Sequence, residues 1–78
     1  MASKIVLVDW VDSNCIHGWR PDDCKNDILA TCRSVGILKY VDDDKVTIAL
    51  SESDCDSIFE TLTIPRGCIK SMRYLRVR

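Results

Sequence analysis

The sequence predicts an all-β domain, with at most one short helix, built as a small five-stranded antiparallel barrel. Three features carry that expectation. Five short segments rich in β-branched or alternating apolar residues follow one another along the chain. Turn-forming residues punctuate them, most clearly Asp42-Asp43-Asp44 and Pro65-Arg66-Gly67. Gly36 falls in the middle of the second segment, where a glycine marks a sharp bend at a barrel corner. Closure would remove the exposed edges that a flat five-stranded sheet leaves. The 78 residues make one domain, 1–78. A chain of this length buries only about 60–65% of its unfolded surface. It is too short for a two-domain enzyme, a dinucleotide fold or an α/β-hydrolase.

The first strand is expected over 4–11, a β-branched run too short for an ordinary helix; Val6, Val8 and Trp10 share one face, and Ile5, Leu7 and Asp9 the other. Both faces start apolar, which points to cover on both sides. Residues 12–20 read as a loop with a turn at Ser13-Asn14 and a free backbone at Gly18 before Trp19. Pro21-Asp22-Asp23 resembles a helix start, and Cys24, Ile28 and Cys32 recur at helical spacing, so 21–28 is read as either a short helix or a long ordered loop. The second strand is expected over 30–41. An acidic turn then leads into the third, 45–51, whose alternation places Val46, Ile48 and Leu50 on one face. A polar, acidic loop precedes the fourth strand, 58–64, with Ile58, Leu62 and Ile64 inward. The break at 65–68 has room for one 3₁₀ turn before the fifth strand, 69–77.

The composition is globular, 46% apolar and 29% charged, and the formal charge of −1 gives no overall basic field. That balance hides an asymmetry. Residues 1–60 carry six basic and twelve acidic side chains, whereas 61–78 carry Arg66, Lys70, Arg73, Arg76 and Arg78 and no carboxylate. The basic end reads either as a solvated strand face or as a binding stripe. The longest aliphatic run, Ile5-Val6-Leu7-Val8, is far short of the roughly 20 residues that span a bilayer, so no membrane association is expected. Five cysteines, an odd number without a C-x-x-C pair, point to a reduced intracellular chain in which most cysteines serve as small apolar core groups.

The order of elements carries a resemblance. Cys32-Arg33-Ser34-Val35-Gly36-Ile37-Leu38, then Asp42 and Val46-Thr47-Ile48-Ala49-Leu50, is similar to the first Sm motif, and Leu62-Thr63-Ile64-Pro65-Arg66-Gly67-Cys68-Ile69 stands where the second would lie. The pattern thus resembles the Src-homology-3-like barrel in its Sm-like variant. The asparagine usual after the Sm turn is missing, as are the typical residues before the last strand and the opening helix. A second resemblance spans the chain. Val8-Asp9-Trp10-Val11-Asp12-Ser13, Gly18-Trp19, Cys32-Arg33-Ser34-Val35-Gly36 and Ile64-Pro65-Arg66-Gly67-Cys68-Ile69 look like short uncharacterised proteins of tailed bacteriophages and prophages. That resemblance implies an accessory role in the cytoplasm of a bacterial host cell, such as binding a host factor or blocking a defence system.

No arrangement of residues points to catalysis. Cys15-x-His17 with Cys24 and Cys32 offers thiol and imidazole groups, but the spacing fits no familiar zinc module. The same pair has no orienting residue to make it a nucleophile and base. Asp42-Asp43-Asp44 and Asp54-x-Asp56 lack the glycine and glutamate of a calcium loop. No metal, cofactor or catalytic residue is therefore expected. Trp10 and Phe59 read as core aromatics. Trp19, in a loop, reads either as a lid over the barrel end or as a partner contact. The candidate binding residues are Trp19, Arg20, Tyr40, Arg66, Lys70, Arg73, Tyr74 and Arg76, because aromatic and arginine side chains anchor interfaces. The expected function is a non-enzymatic module that binds a host protein. The alternative is an Sm-like oligomer that binds RNA through the basic C-terminal strand.

Overall fold

The computed structural model describes residues 3–14, 17–25 and 27–76. Five strands form one antiparallel sheet: β1 (Ile5–Asp12), β2 (Ala30–Val41), β3 (Lys45–Glu52), β4 (Ile58–Pro65) and β5 (Ile69–Leu75). A single 3₁₀ turn, Arg66–Cys68, joins the last two. The all-β class and all five strands follow the alternation in the sequence, with ends displaced by a residue or two; Val77, the expected end of β5, lies outside the described residues.

The sheet order is β4-β3-β2-β1-β5. Among the described residues no ladder joins β4 to β5, so the sheet has two edges where the sequence suggested a closed or nearly closed barrel. It nevertheless curls enough to bury one core. Val6 and Val8 of β1 meet Val46 and Ile48 of β3 and Ile64 of β4, with Trp10, Leu38, Cys68, Ile69 and Met72 packed around them. Gly36 of β2 sits opposite Val6. A β-carbon there would lie 3.0 Å from both the Ile48 Cβ and the Ala49 carbonyl oxygen. Only glycine lets β2 approach β3 this closely.

One open alternative is resolved, and two of the sequence expectations need correction. The helix considered over 21–28 is absent from its described residues; Asn26 lies outside them. Asp23 N–H donates to the Pro21 carbonyl (2.8 Å) and Asp27 N–H to the Cys24 carbonyl (3.0 Å), which makes isolated turns. Ile28 is exposed, so no packed face offsets the cost of nucleating so short a helix. Second, Phe59 is 59% exposed and not a core residue, Ile58 and Leu50 are exposed beside it, and Leu62 is exposed too, so that Ile64 alone of β4 is buried. Register pairs Phe59 with Ser51 and Ile58 with Glu52, at the turn end of the β3–β4 hairpin, where both strands are exposed. Third, of the described cysteines only Cys32 and Cys68 are partly buried; Cys24 and Cys55 are exposed free thiols, and Cys15 lies outside the described residues. On β1 the face of Val6 and Val8 is buried, and that of Ile5 and Leu7 is half-buried.

The molecule is elongated, 55 × 26 × 23 Å, with a radius of gyration of 16.1 Å. A compact chain of this length would have about 11–12 Å.

Candidate binding surface at the edge of β5

The bulge between β1 and β5 positions the basic residues. Ser71 lies opposite Asp9 and Ile69 opposite Trp10, so Lys70 is the extra residue on the β5 side. A bulge bends its strand and redirects the side chain it carries. Arg66, just before, is held in the 3₁₀ turn by its N–H, which donates to the Asp44 carbonyl at 2.8 Å. Arg66 and Lys70 line a groove of about 330 Å³ together with Val46, Ile69, Ser71 and Met72. No carboxylate lines it. Among the described residues, ion pairs occupy Arg20, Arg33, Lys39 and Lys45, and none involves Arg66, Lys70, Arg73 or Arg76.

The remaining C-terminal candidates do not join this groove. Arg73 lies opposite Leu7, on the other face of the sheet from Met72, where it helps to lower the pKa of Asp9. The main cause of that lowering is the Arg33 guanidinium, whose Nε donates to Asp9 Oδ1 at 2.9 Å; Ser71 Oγ donates to the other oxygen at 3.2 Å. This carboxylate so ties β2, β1 and β5 in one row. Tyr74 is half-exposed opposite Val6, with the Lys4 Nζ 5.2 Å from its ring centroid. Arg76 follows the strand and is exposed, and Arg78 lies outside the described residues. The single basic stripe expected from the sequence is thus split by the alternation of the strand and by the bulge.

Tyr40 sits at the end of β2, half-exposed, beneath the Lys45 Nζ at 5.1 Å from its ring centroid. Both belong to the hairpin that Asp42 organises. Asp42 Oδ1 accepts from the N–H groups of Asp44 (2.8 Å) and Lys45 (2.9 Å), and these two bonds hold its carboxyl well below the usual range, at about 2. The triple aspartate is accordingly a built turn. Trp19 is fully exposed, at 105%, directly after Gly18, whose φ of +95° is one that glycine adopts freely. It makes no lid over a barrel end. Arg20 is engaged within its own segment by an ion pair with Asp27 and a contact to Cys24 Sγ at 3.3 Å. Among the described residues no three His, Cys, Asp or Glu side chains come together to hold a metal ion, and no helix is long and apolar enough to cross a membrane.

Compared with known proteins, the chain matches no family model, no curated protein and no solved structure.

One surface escaped the sequence reading. Val35, Leu50, Glu60, Thr61 and Leu62 line an open groove of about 350 Å³ on the far half of the β3–β4 hairpin. Glu60 was the available signal. It falls at an inward position between Ile58 and Leu62, and a carboxylate there marks the place where the covered face of β4 ends. Its φ of 54° is also rare for a residue with a side chain.

Proposed function

We propose that this chain is a non-enzymatic binding module, a phage or prophage accessory protein that engages a host protein in the bacterial cytoplasm. The observation that carries the reading is Trp19. The fold leaves this indole wholly in water, with Ile28 and Leu29 also exposed on the same connecting segment. A tryptophan contributes a large apolar area and a donor, and it dominates binding energy when a partner buries it. Three large apolar residues on one connection, outside the core, are what a recognition loop on a rigid sheet presents. The phage resemblance in the sequence supports the setting. The test is capture from bacterial lysate with and without nuclease, using the wild-type chain and Trp19→Ala. A protein retained after nuclease treatment and lost from the variant is the expected result. Equal retention by both chains would overturn the role of Trp19.

A second reading, RNA binding by an Sm-like oligomer, is favoured by the convergence of Arg66 and Lys70 on one groove. The twelve carboxylates oppose it, because they act on phosphates within a Debye length of about 8 Å. Generic single-stranded RNA should bind no tighter than about 10 µM at physiological salt. Submicromolar, salt-sensitive binding lost on replacing Arg66 and Lys70, or Arg73 and Arg76, with alanine would make this the better reading.

A further inference from the structure

We infer that the free edge of β5 is a docking site for an extended, acidic segment of a partner protein, which adds to the sheet as a sixth strand. The inference rests on the reading that the partner is a protein and names the chemistry it must carry.

Three observations converge. First, β5 is an edge: it pairs with β1 on one side, and no strand among the described residues occupies the other. An unpaired edge offers a row of backbone donors and acceptors to an incoming extended chain. Second, four consecutive β5 residues, Ile69 to Met72, line a groove that also includes Val46 and Arg66, so apolar and basic groups stand side by side on this strand. Third, the charges that β5 and its flanks themselves carry have one sign, with the neighbouring Asp9 carboxylate already engaged by Arg33 and Ser71. Arg66 and Lys70 line the groove, Arg73 projects from the opposite face of the same strand, and Arg76 follows its end. No residue from Arg66 to Arg76 is acidic.

The alternation of a strand sets the ligand pattern. Residues of the added chain that face the groove should be apolar, and those that face Arg73 acidic, with a further carboxylate at the end beside Arg66 and Lys70. A lysine on a bulge is also a familiar way to stop edge strands from pairing indiscriminately. Here it rejects basic and neutral edges while admitting an acidic one, so the same device supplies selectivity. The nearby acidic turn does not fill the role. Asp42 is committed to its own turn and to Lys45, and the contact from Asp44 to Arg66 is made by its backbone carbonyl.

The probe is a fluorescent peptide of about ten residues alternating valine and glutamate, with a matched valine–lysine peptide and a U-rich RNA of similar length as comparators, measured by anisotropy. The glutamate peptide should bind at least about tenfold tighter than either comparator and weaken as salt rises. The double variant Arg66→Glu/Lys70→Glu should lose about tenfold, with an unchanged far-ultraviolet circular dichroism spectrum, whereas Trp19→Ala should bind the peptide normally. N-methylation of alternate peptide residues should abolish binding in one frame and leave it in the other, because only one edge of the peptide pairs. Equal binding of both peptides, equal loss in both N-methylated frames, or tighter binding of the RNA would each overturn the proposal. So would sedimentation showing a dimer that the glutamate peptide does not dissociate, since a second copy would then hold the edge. A lysate partner that depends on Trp19 but ignores Arg66→Glu/Lys70→Glu would sink this inference while leaving the proposed function intact.

Discussion

Replacing Gly36 with alanine should destabilise the domain, although a glycine-to-alanine change in extended backbone ordinarily does the reverse. The ordinary gain, about 0.4–1 kcal/mol, comes from restricting the unfolded chain. At this position the new methyl group would meet the Ile48 Cβ and the Ala49 carbonyl oxygen, each at 3.0 Å, and the Ile48 Cδ1 at 3.1 Å. Two of those atoms are fixed by the β3 backbone and cannot swing aside. Overpacking of this kind costs about 1–3 kcal/mol, so the net loss should be about 1–2 kcal/mol. For a domain of this size each kcal/mol moves the melting temperature by about 4–8 °C, which predicts a fall of about 5–15 °C on the same basis. Thermal denaturation followed by circular dichroism measures it. Gly67→Ala is the matched control, because a β-carbon at Gly67 meets no atom within 4 Å. That variant should melt at or slightly above the wild type. If Gly36→Ala melts with the control, β2 does not press onto β3 as described, and the account of the curled sheet is wrong.

Further outcomes follow from the same contacts. Asp42 has its pKa lowered to about 2, and Asp9 and Glu52 are lowered too, Glu52 chiefly by Lys39, whose Nζ donates to it at 2.7 Å. Groups with a depressed folded pKa contribute stability above their unfolded value, so stability should fall as pH drops from about 4 to 2; Asp42→Asn, which keeps an accepting oxygen, should flatten that fall in denaturant melts. Trp10→Phe removes the indole donor that reaches Ser34 Oγ at 3.1 Å and should cost about 0.5–1.5 kcal/mol in urea unfolding, with Ser34→Ala non-additive to it. Cys24 and Cys55 should react quickly with a thiol reagent in the native protein and Cys32 and Cys68 slowly, with about five thiols after unfolding without reductant; a total near three or one would reveal disulfides.

The strands were legible because their evidence is local. The alternation of Val6 and Val8, of Val46 and Ile48, and the bend at Gly36 are all written within a few residues. Cover was not legible. Alternation says which face a side chain takes, not whether another strand lies over it, and so Leu50, Ile58 and Phe59 were expected inside and stand outside. The candidate site suffered the same limit. The run of basic residues after Thr61 is plain in the sequence, but the bulge that redirects Lys70 arises from pairing with Asp9 and Trp10, some sixty residues earlier along the chain. The segment over 21–28 was open between a helix and an ordered loop, and its described residues form only isolated turns, because the fold supplies no surface for a helix to pack against.

The stretched outline of the molecule bears on how its assembly state is judged. A particle 55 Å long and about half as wide diffuses more slowly than a sphere of equal mass. On a column calibrated with compact proteins a single 8.9 kDa chain would therefore elute early and pass for a larger species. Light scattering or sedimentation equilibrium weighs the particle instead of sizing it. By those methods an early-eluting peak of true mass 8.9 kDa is a monomer, in which no second copy occupies the β4 or β5 edge.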